Sequence, residues 1–573
     1  MTQFRVWAPT PESVAVEVGG ERVPMAAADR GWRVAEVDWA GPGDDYRFVV
    51  DGDPLPDPRS TFQPEGVHGP SRVVDHAAFP WTDHGWRGLH LPSAVLYELH
   101  VGTFTPEGTF EAVVPKLDHI VELGVGAIEL LPVGEFSGSR GWGYDGVDLY
   151  APHHAYGGPD GLKKLVDACH HRGLAVVMDV VYNHLGPSGN YLSRFGPYFT
   201  DRYNTPWGDA LNFDGADSDE VRRFFIDNAL MWLRDYHIDG LRLDAVHAIV
   251  DTSATHLLEQ LAGEVEVLSA HVGRPLTLIA ESDLNDPRVV ARREAGGYGM
   301  DAQWSDDFHH ALHAALTGEK SGYYEDFGGL AHVATAMRQA FVYAGDYSPH
   351  RKRVHGRKPV GIAGHRFLGY LQNHDQVGNR AVGERSSHLM STGRLKVGAA
   401  LVLLSPFVPM LFQGEEWGAS SPFQYFTDHE DAELGRLVSE GRRREFASFG
   451  WQPEDVPDPQ AFETFERSRL DWDEVGREPH ASLLAWHRAL IDLRRSVPSL
   501  TDGRFDSVAV NCDDGVGRLV VVRPPVTVAC NLGPTELRLP ADGRLVLASE
   551  EGVRLDGDTM VLPPDSVAVV LAG

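Results

Sequence analysis

Cysteine is almost missing from this chain: Cys169, Cys512 and Cys530 are the three among 573 residues. So few thiols exclude a disulfide framework, and without a Cys-x-x-Cys pair there is no thiolate zinc pattern. No run reaches 18 consecutive apolar residues, which excludes a membrane-spanning helix. The opening MTQFRVWAPTPESVAVEV has no basic segment followed by an apolar one, so no secretory signal is expected. Together these point to the cytoplasm. Basic residues are scarce, 51 Lys and Arg against 82 Asp and Glu, for a net charge of −31. That sign repels phosphate backbones and anionic lipid, so neither nucleic acid nor a membrane is an expected partner. No Gly-Lys dipeptide exists for a phosphate loop, and no Gly-x-Ser-x-Gly for a serine nucleophile elbow.

What is present is a long globular chain whose pattern changes twice. In the first ~90 residues, Val14, Val16 and Val18 alternate with other residues, and Tyr46–Val50 runs into an Asp51-Gly52-Asp53 turn. Short strands with Gly and Pro turns predict a small β-sandwich over residues 1–90. From Ser93, apolar runs alternate with helical stretches. The runs are 94–104, 127–133, 175–184, 240–246, 277–283, 300–306, 367–375 and 410–418. Helices are expected over Glu111–Leu123, Asp160–Arg172, Ser218–Tyr236, Thr252–Ala270 and Leu389–Leu404. A doubly wound sheet would also alternate, but eight runs fit a closed (β/α)8 TIM barrel better, spanning 91–498. The connections Phe308–His365 and Ser420–Ser482 exceed ordinary loops and should carry helices and function. Short strands return after about Leu500 and predict a second β-sandwich over 499–573. The expected fold class is thus α/β, a barrel flanked by two sandwiches.

In such a barrel, polar side chains at the C-terminal strand ends form the active site. The third run ends with Asp179, Asn183 and His184, and the fourth carries Arg242 and Asp244. The fifth ends Glu281-Ser-Asp283, and the seventh Asn373-His374-Asp375. One acid at a strand end reads as a paired cap. Four polar ends in one barrel read better as a shared site, because unpaired carboxylates are costly in apolar surroundings. Converging carboxylates with one Arg suit glycoside hydrolysis, which needs a proton donor and a nucleophile or base across the scissile bond. Arg242, two residues from Asp244, would keep that acid ionised as a nucleophile, and Glu281 would be the acid if its surroundings raise its pKa.

The segments DVVYNH, GLRLDAVH, LIAESD and YLQNHD resemble, in order, the four short regions of the α-amylase family of glycoside hydrolases. The resemblance implies Asp244 as nucleophile, Glu281 as general acid/base and Asp375 as transition-state stabiliser. It also implies Asp179, Asn183, His184, Arg242 and His374 as supporting site residues, and Tyr144, in GYD, as a sugar-stacking ring. FRVWAP and PDPRS resemble the β-sandwich module of the family's glycogen-branching and debranching branch, so the N-terminal unit reads as glucan-binding-module-like. YLQNHDQVGNRAVGER, PMLFQGEEWGASSPFQYFTDH and RRREFASFGW with FERSRLDW resemble a trehalose-releasing branch. That branch hydrolyses the α-1,4 bond next to the terminal trehalose of malto-oligosyltrehalose. The implied partners are this oligosaccharide and water, downstream of a separate enzyme that forms the oligosaccharide. A branching transferase shares the same catalytic set, and a non-catalytic glucan-binding protein would have lost one of the three carboxylates.

Many family members follow the nucleophile region with Lys-His, where the His helps hold structural calcium; here His247-Ala248 stand there, so no metal or other cofactor is expected. The short segment from His184 to Ser218 reduces the inserted calcium-holding domain of those members to a loop containing Trp207 and Asn212. Because trehalose has a fixed shape, its pocket should be polar, and the candidate walls are His247, Asp283, Asn285, Gln376, Asn379 and Arg380. Trp142, Trp207 and Trp417 are candidate sugar platforms. Gly141–Gly146 fits G-x-G-x-x-G, but no helix is expected after it, so it does not read as a dinucleotide loop. His309 and His313 have metal-ligand spacing on a helix without the accompanying motif. His153-His154 and His170-His171 read as surface or packing residues.

Overall fold

The computed structural model describes residues 2–447 and 452–572. All eight apolar runs form parallel strands of one closed barrel: Leu96–Leu99, Ala127–Leu130, Ala175–Val180, Gly240–Leu243, Thr277–Ala280, Ala302–Trp304, Phe367–Gly369 and Val408–Phe412. The eighth closes on the first through Met410↔Leu96 and Phe412↔Glu98. The strands are buried throughout, which is why they read as continuous apolar runs rather than alternating ones.

The expected helices form, with two differences. Glu111–Leu123 is broken into Phe110–Val113, a 3₁₀ turn Val114–Lys116 and Leu117–Leu123. Pro115 lacks an N–H and clashes with the preceding turn of a continuous helix. The helix expected from Thr252 starts only at Leu257, because the Asp251 carboxylate accepts from the Ser253 and Leu257 amides and holds the intervening chain in a turn.

Antiparallel sheets lie at both ends of the chain. Strands Thr2–Trp7 and Trp32–Val37 belong to a three-stranded sheet that packs on a second sheet containing Val14–Val18 and Asp45–Val50. At the other end, a five-stranded sheet packs on a three-stranded one. Strands Ala509–Asp513, Arg554–Asp556 and Thr559–Leu562 there were not expected from sequence. The connection after strand six carries helices Asp306–Thr317 and Leu330–Gln339 and a hairpin, Asp346–Ser348 with Arg353–His355. The one after strand eight carries helix Ala432–Ala447; residues 448–451 of the RRREFASFGW stretch lie outside the described residues. The segment after His184 is more than a loop: strands Phe199–Thr205 and Gly208–Leu211 pair as a hairpin with Trp207 at its tip. Among the described residues no helix is long and apolar enough to cross a membrane.

Candidate active site

Arg242 points into the barrel from strand four, 1% exposed, its guanidinium stacked 4.1 Å from the centroid of Trp304 on strand six. It ties three strand ends together. Nη1 donates to Asp179 and, at 3.1 Å, to Asp244; Nη2 donates to Glu281 at 2.8 Å. The other Asp244 oxygen accepts from Asn183 at 3.1 Å. Directly after Asp244, Ala245 takes a left-handed conformation (φ 39°), which a non-glycine residue adopts only when its surroundings enforce it. Here the Ala245 amide donates to the Glu281 carboxylate at 2.8 Å, so the strained turn joins the two acids.

Burial is the largest influence on the titration of Glu281, Asp375 and Asp179. It raises Glu281 above the usual carboxylate range, with the Asp244 charge adding to it and Arg242 opposing. It raises Asp375 as well, against the pull of His374, and pushes Asp179 up to about 7 against the pull of Arg242. Burial opposes the charged form of His374, yet the Glu98 carboxylate lifts its pKa. Glu98, on strand one, accepts from the His374 amide at 2.9 Å and from Nδ1 at 2.6 Å. The protonated ring can then donate from Nε2 to the Tyr144 hydroxyl oxygen, 2.8 Å away, while that hydroxyl donates to Asp179 at 2.6 Å.

Above this floor opens a cleft of about 930 Å³. Asp244, Glu281, His374, Asp375, Tyr144, His184 and His247 line it, together with Trp142, Asp145, Trp207 and Tyr425. Asp179, Asn183 and Arg242 lie buried beneath. Trp207, 48% exposed, stacks on His184 with centroids 4.4 Å apart. Gly143 needs to be glycine: it has φ 99°, and a Cβ would stand 2.1 Å from the Pro132 carbonyl oxygen. The glycine-rich segment thus shapes the loop bearing Trp142 and Tyr144, and a strand follows it.

A family model for the alpha amylase catalytic domain matches residues 74–204, and one for a domain of unknown function matches 503–569. A malto-oligosyltrehalose trehalohydrolase of Arthrobacter ramosus is 53% identical over 97% of this chain and 98% of its own length. One of Mycobacterium tuberculosis is 51% identical over 98% and 97%. The chain belongs to the malto-oligosyltrehalose trehalohydrolase family. A crystal structure of an alpha-amylase-like protein from Salmonella typhimurium superposes with a TM-score of 0.92 and 42% identity, over 100% of this chain and 97% of that one.

Of the walls expected in this trehalohydrolase family member, His247 lines the cleft, whereas Asp283, Asn285, Gln376, Asn379 and Arg380 are not among its lining residues. Asp283 pairs with Arg351 at 2.9 Å and lies 3.9 Å from His247. Burial works to raise the Asp283 pKa, but the neighbouring His247 and Arg351 side chains outweigh it and hold the carboxyl below the usual range. Asn285 turns inward instead, donating to Asp307 at 2.9 Å and to the Tyr343 carbonyl at 3.0 Å, so it supports the connection after strand six and forms no wall. Gln376 has a buried Oε1 without a protein partner. Asn379 donates to Asp375 at 2.7 Å, and Arg380 pairs with Glu319 at 2.9 Å.

Trp417 is fully buried against Trp472 and His119, which removes it as a sugar platform. His309 and His313 are buried with Tyr324 and Glu319 as partners. His170 is clamped between Asp83 and Asp239. His153 and His154 both direct Nδ1 at Glu135, within 2.8 Å. Among the described residues these three have donor atoms close enough for a metal, but Glu135 accepts from the His154 amide too, and those bonds account for the cluster. Sequence reading missed Glu98, Trp304 and Asp306. Asp306, which accepts from Tyr370 at 2.5 Å, is pushed up to about 8 by burial and then by Glu281. A lone acid in the apolar run AVLYELHV was the available signal for Glu98.

Proposed function

We propose that this chain is a retaining glycoside hydrolase that cleaves the α-1,4-glucosidic bond next to the terminal trehalose of malto-oligosyltrehalose. Asp244 attacks the anomeric carbon and forms a covalent glycosyl-enzyme while Glu281 protonates the departing trehalose oxygen. Glu281, now ionised, takes a proton from water, which displaces Asp244 and frees the shortened glucan. Asp375 faces the positive charge that develops on the sugar ring, and Tyr144 supplies a stacking face. His247, Asp283, Gln376 and Arg380 border the trehalose side, while Asn379 holds Asp375 and is not itself a wall.

The observation that carries this reading is the sharing of one guanidinium, Arg242, by Asp244 and Glu281. Both within its reach fits the short carboxyl separation of retaining enzymes, roughly 5–5.5 Å. We assign residues 1–90 to a glucan-binding-like module, 91–498 to the catalytic unit and 499–573 to a C-terminal sandwich. The enzyme acts in the cytoplasm on the product of an enzyme that builds trehalose onto a glucan end. The test is product analysis with malto-oligosyltrehalose and plain amylose run side by side. Trehalose release from the first supports the reading; new branch linkages from the second without trehalose from the first would make the chain a branching transferase.

A further inference from the structure

Helix Ala432–Ala447, in the connection after strand eight, presents solvent ion pairs such as Arg436 with Glu433 and Glu440. Pairs of that kind contribute little. Arg442 of the same helix behaves differently. Its side chain is only 10% exposed and lies against the turn that carries Asp375. Nη2 donates to the Gly378 carbonyl at 2.5 Å, and Nη1 donates to the Asn379 side-chain oxygen at 3.3 Å. The guanidinium is held over Tyr425, 5.2 Å from the ring centroid, and its ion pair with Glu445 is long, 3.4 Å.

Asn379 passes this contact on, because its Nδ2 donates to Asp375 at 2.7 Å. The opposite side of the turn is equally confined: a Cβ on Gly378 would stand 2.0 Å from the Trp142 indole. At the start of the turn, the Asn373 side chain accepts from the Asp375 and Gln376 amides. The short helix His374–Gly378 is therefore wedged between an indole and a guanidinium that arrive from different connections.

We propose that Arg442 is a positioning residue for Asp375, acting through Gly378 and Asn379 from outside the barrel. The inference rests on the reading of Asp375 as the transition-state carboxylate. Displacement of a catalytic group by about 1 Å can cost on the order of 100-fold in rate, so loosening this turn should appear in turnover rather than in substrate affinity.

The test is steady-state kinetics on malto-oligosyltrehalose for the wild type, R442A, R442K, N379A, the R442A/N379A double variant and D375N, with thermal midpoints recorded. R442A and N379A should each lower kcat by about 10- to 100-fold with KM changed by less than about 3-fold. R442K should recover part of the loss, because an ammonium can still reach the Gly378 carbonyl. The double variant should be no worse than the poorer single one, since both act along one path. Unchanged kcat in R442A, a rise in KM alone, or losses that multiply in the double variant would overturn the proposal. Near-native turnover in D375N would instead overturn the reading of Asp375 itself. If R442A fails to fold, R442K and N379A carry the same comparison.

Discussion

Arg242 donates to Glu281 at 2.8 Å, yet the Glu281 pKa is raised rather than lowered. A neighbouring cation favours the carboxylate; burial disfavours it more strongly, and the Asp244 charge adds to burial, so the net shift is upward. An upward shift is the direction a proton donor requires.

The pH dependence follows with its sign. A raised acid pKa keeps Glu281 protonated at lower pH, so kcat/KM should hold below that pKa and fall as pH rises through it. Glu281→Gln should cut turnover of malto-oligosyltrehalose by more than about 1,000-fold. A glycosyl fluoride, whose leaving group needs no proton, should still form the glycosyl-enzyme in that variant, and the alkaline limb of this step should vanish. A persisting limb would assign the proton to another group.

Asp244→Asn should abolish turnover while malto-oligosyltrehalose still binds. The amide is a poor nucleophile, but Arg242 keeps its bonds to Asp179 and Glu281, and the cleft floor stays tied together. Calorimetric binding alongside kcat separates the two effects. Near-native turnover would remove Asp244 from the mechanism.

Activity should survive exhaustive treatment with EDTA. Ala248 offers no ligand where calcium-holding relatives of the α-amylase family have His, and Asn212 is occupied by the Pro197 and Ala216 carbonyls and the Gly215 amide. Loss of activity restored by calcium would refute this.

Asp283→Ala and Gln376→Ala should lower discrimination between malto-oligosyltrehalose and maltodextrin by about 10-fold or more, with less effect on maltodextrin hydrolysis. Polar sites reject a substrate lacking their partner far better than apolar ones do. Asp283 is held ionised by Arg351 and His247, and Gln376 keeps a buried oxygen without a protein partner. The measurement is the ratio of kcat/KM for the two substrates; an unchanged ratio in both variants would put trehalose recognition elsewhere.

The barrel was legible in the chain because each of its strands is buried on both faces and is written as a continuous apolar run, from Leu96–Leu99 to Val408–Phe412. The acids and the Arg at four strand ends stood out against those runs, so Asp179, Arg242, Asp244, Glu281 and Asp375 could be named from spacing and resemblance. Where a side chain points after the strand ends depends on turn conformation, which local sequence encodes weakly: Asn285, with φ 51°, turns away from the cleft. Trp417 reads like Trp142 in sequence, but packing against Trp472 buries it elsewhere. The partners that tune the site also come from remote parts of the chain: Glu98 for His374, Trp304 for Arg242, Arg442 for the turn of Asp375. Sequence alone determined which chemical groups the strand ends carry. The tertiary structure decided which of them share a proton, a cation or a stacked ring, because those relations depend on distance and burial between residues that only barrel closure brings together.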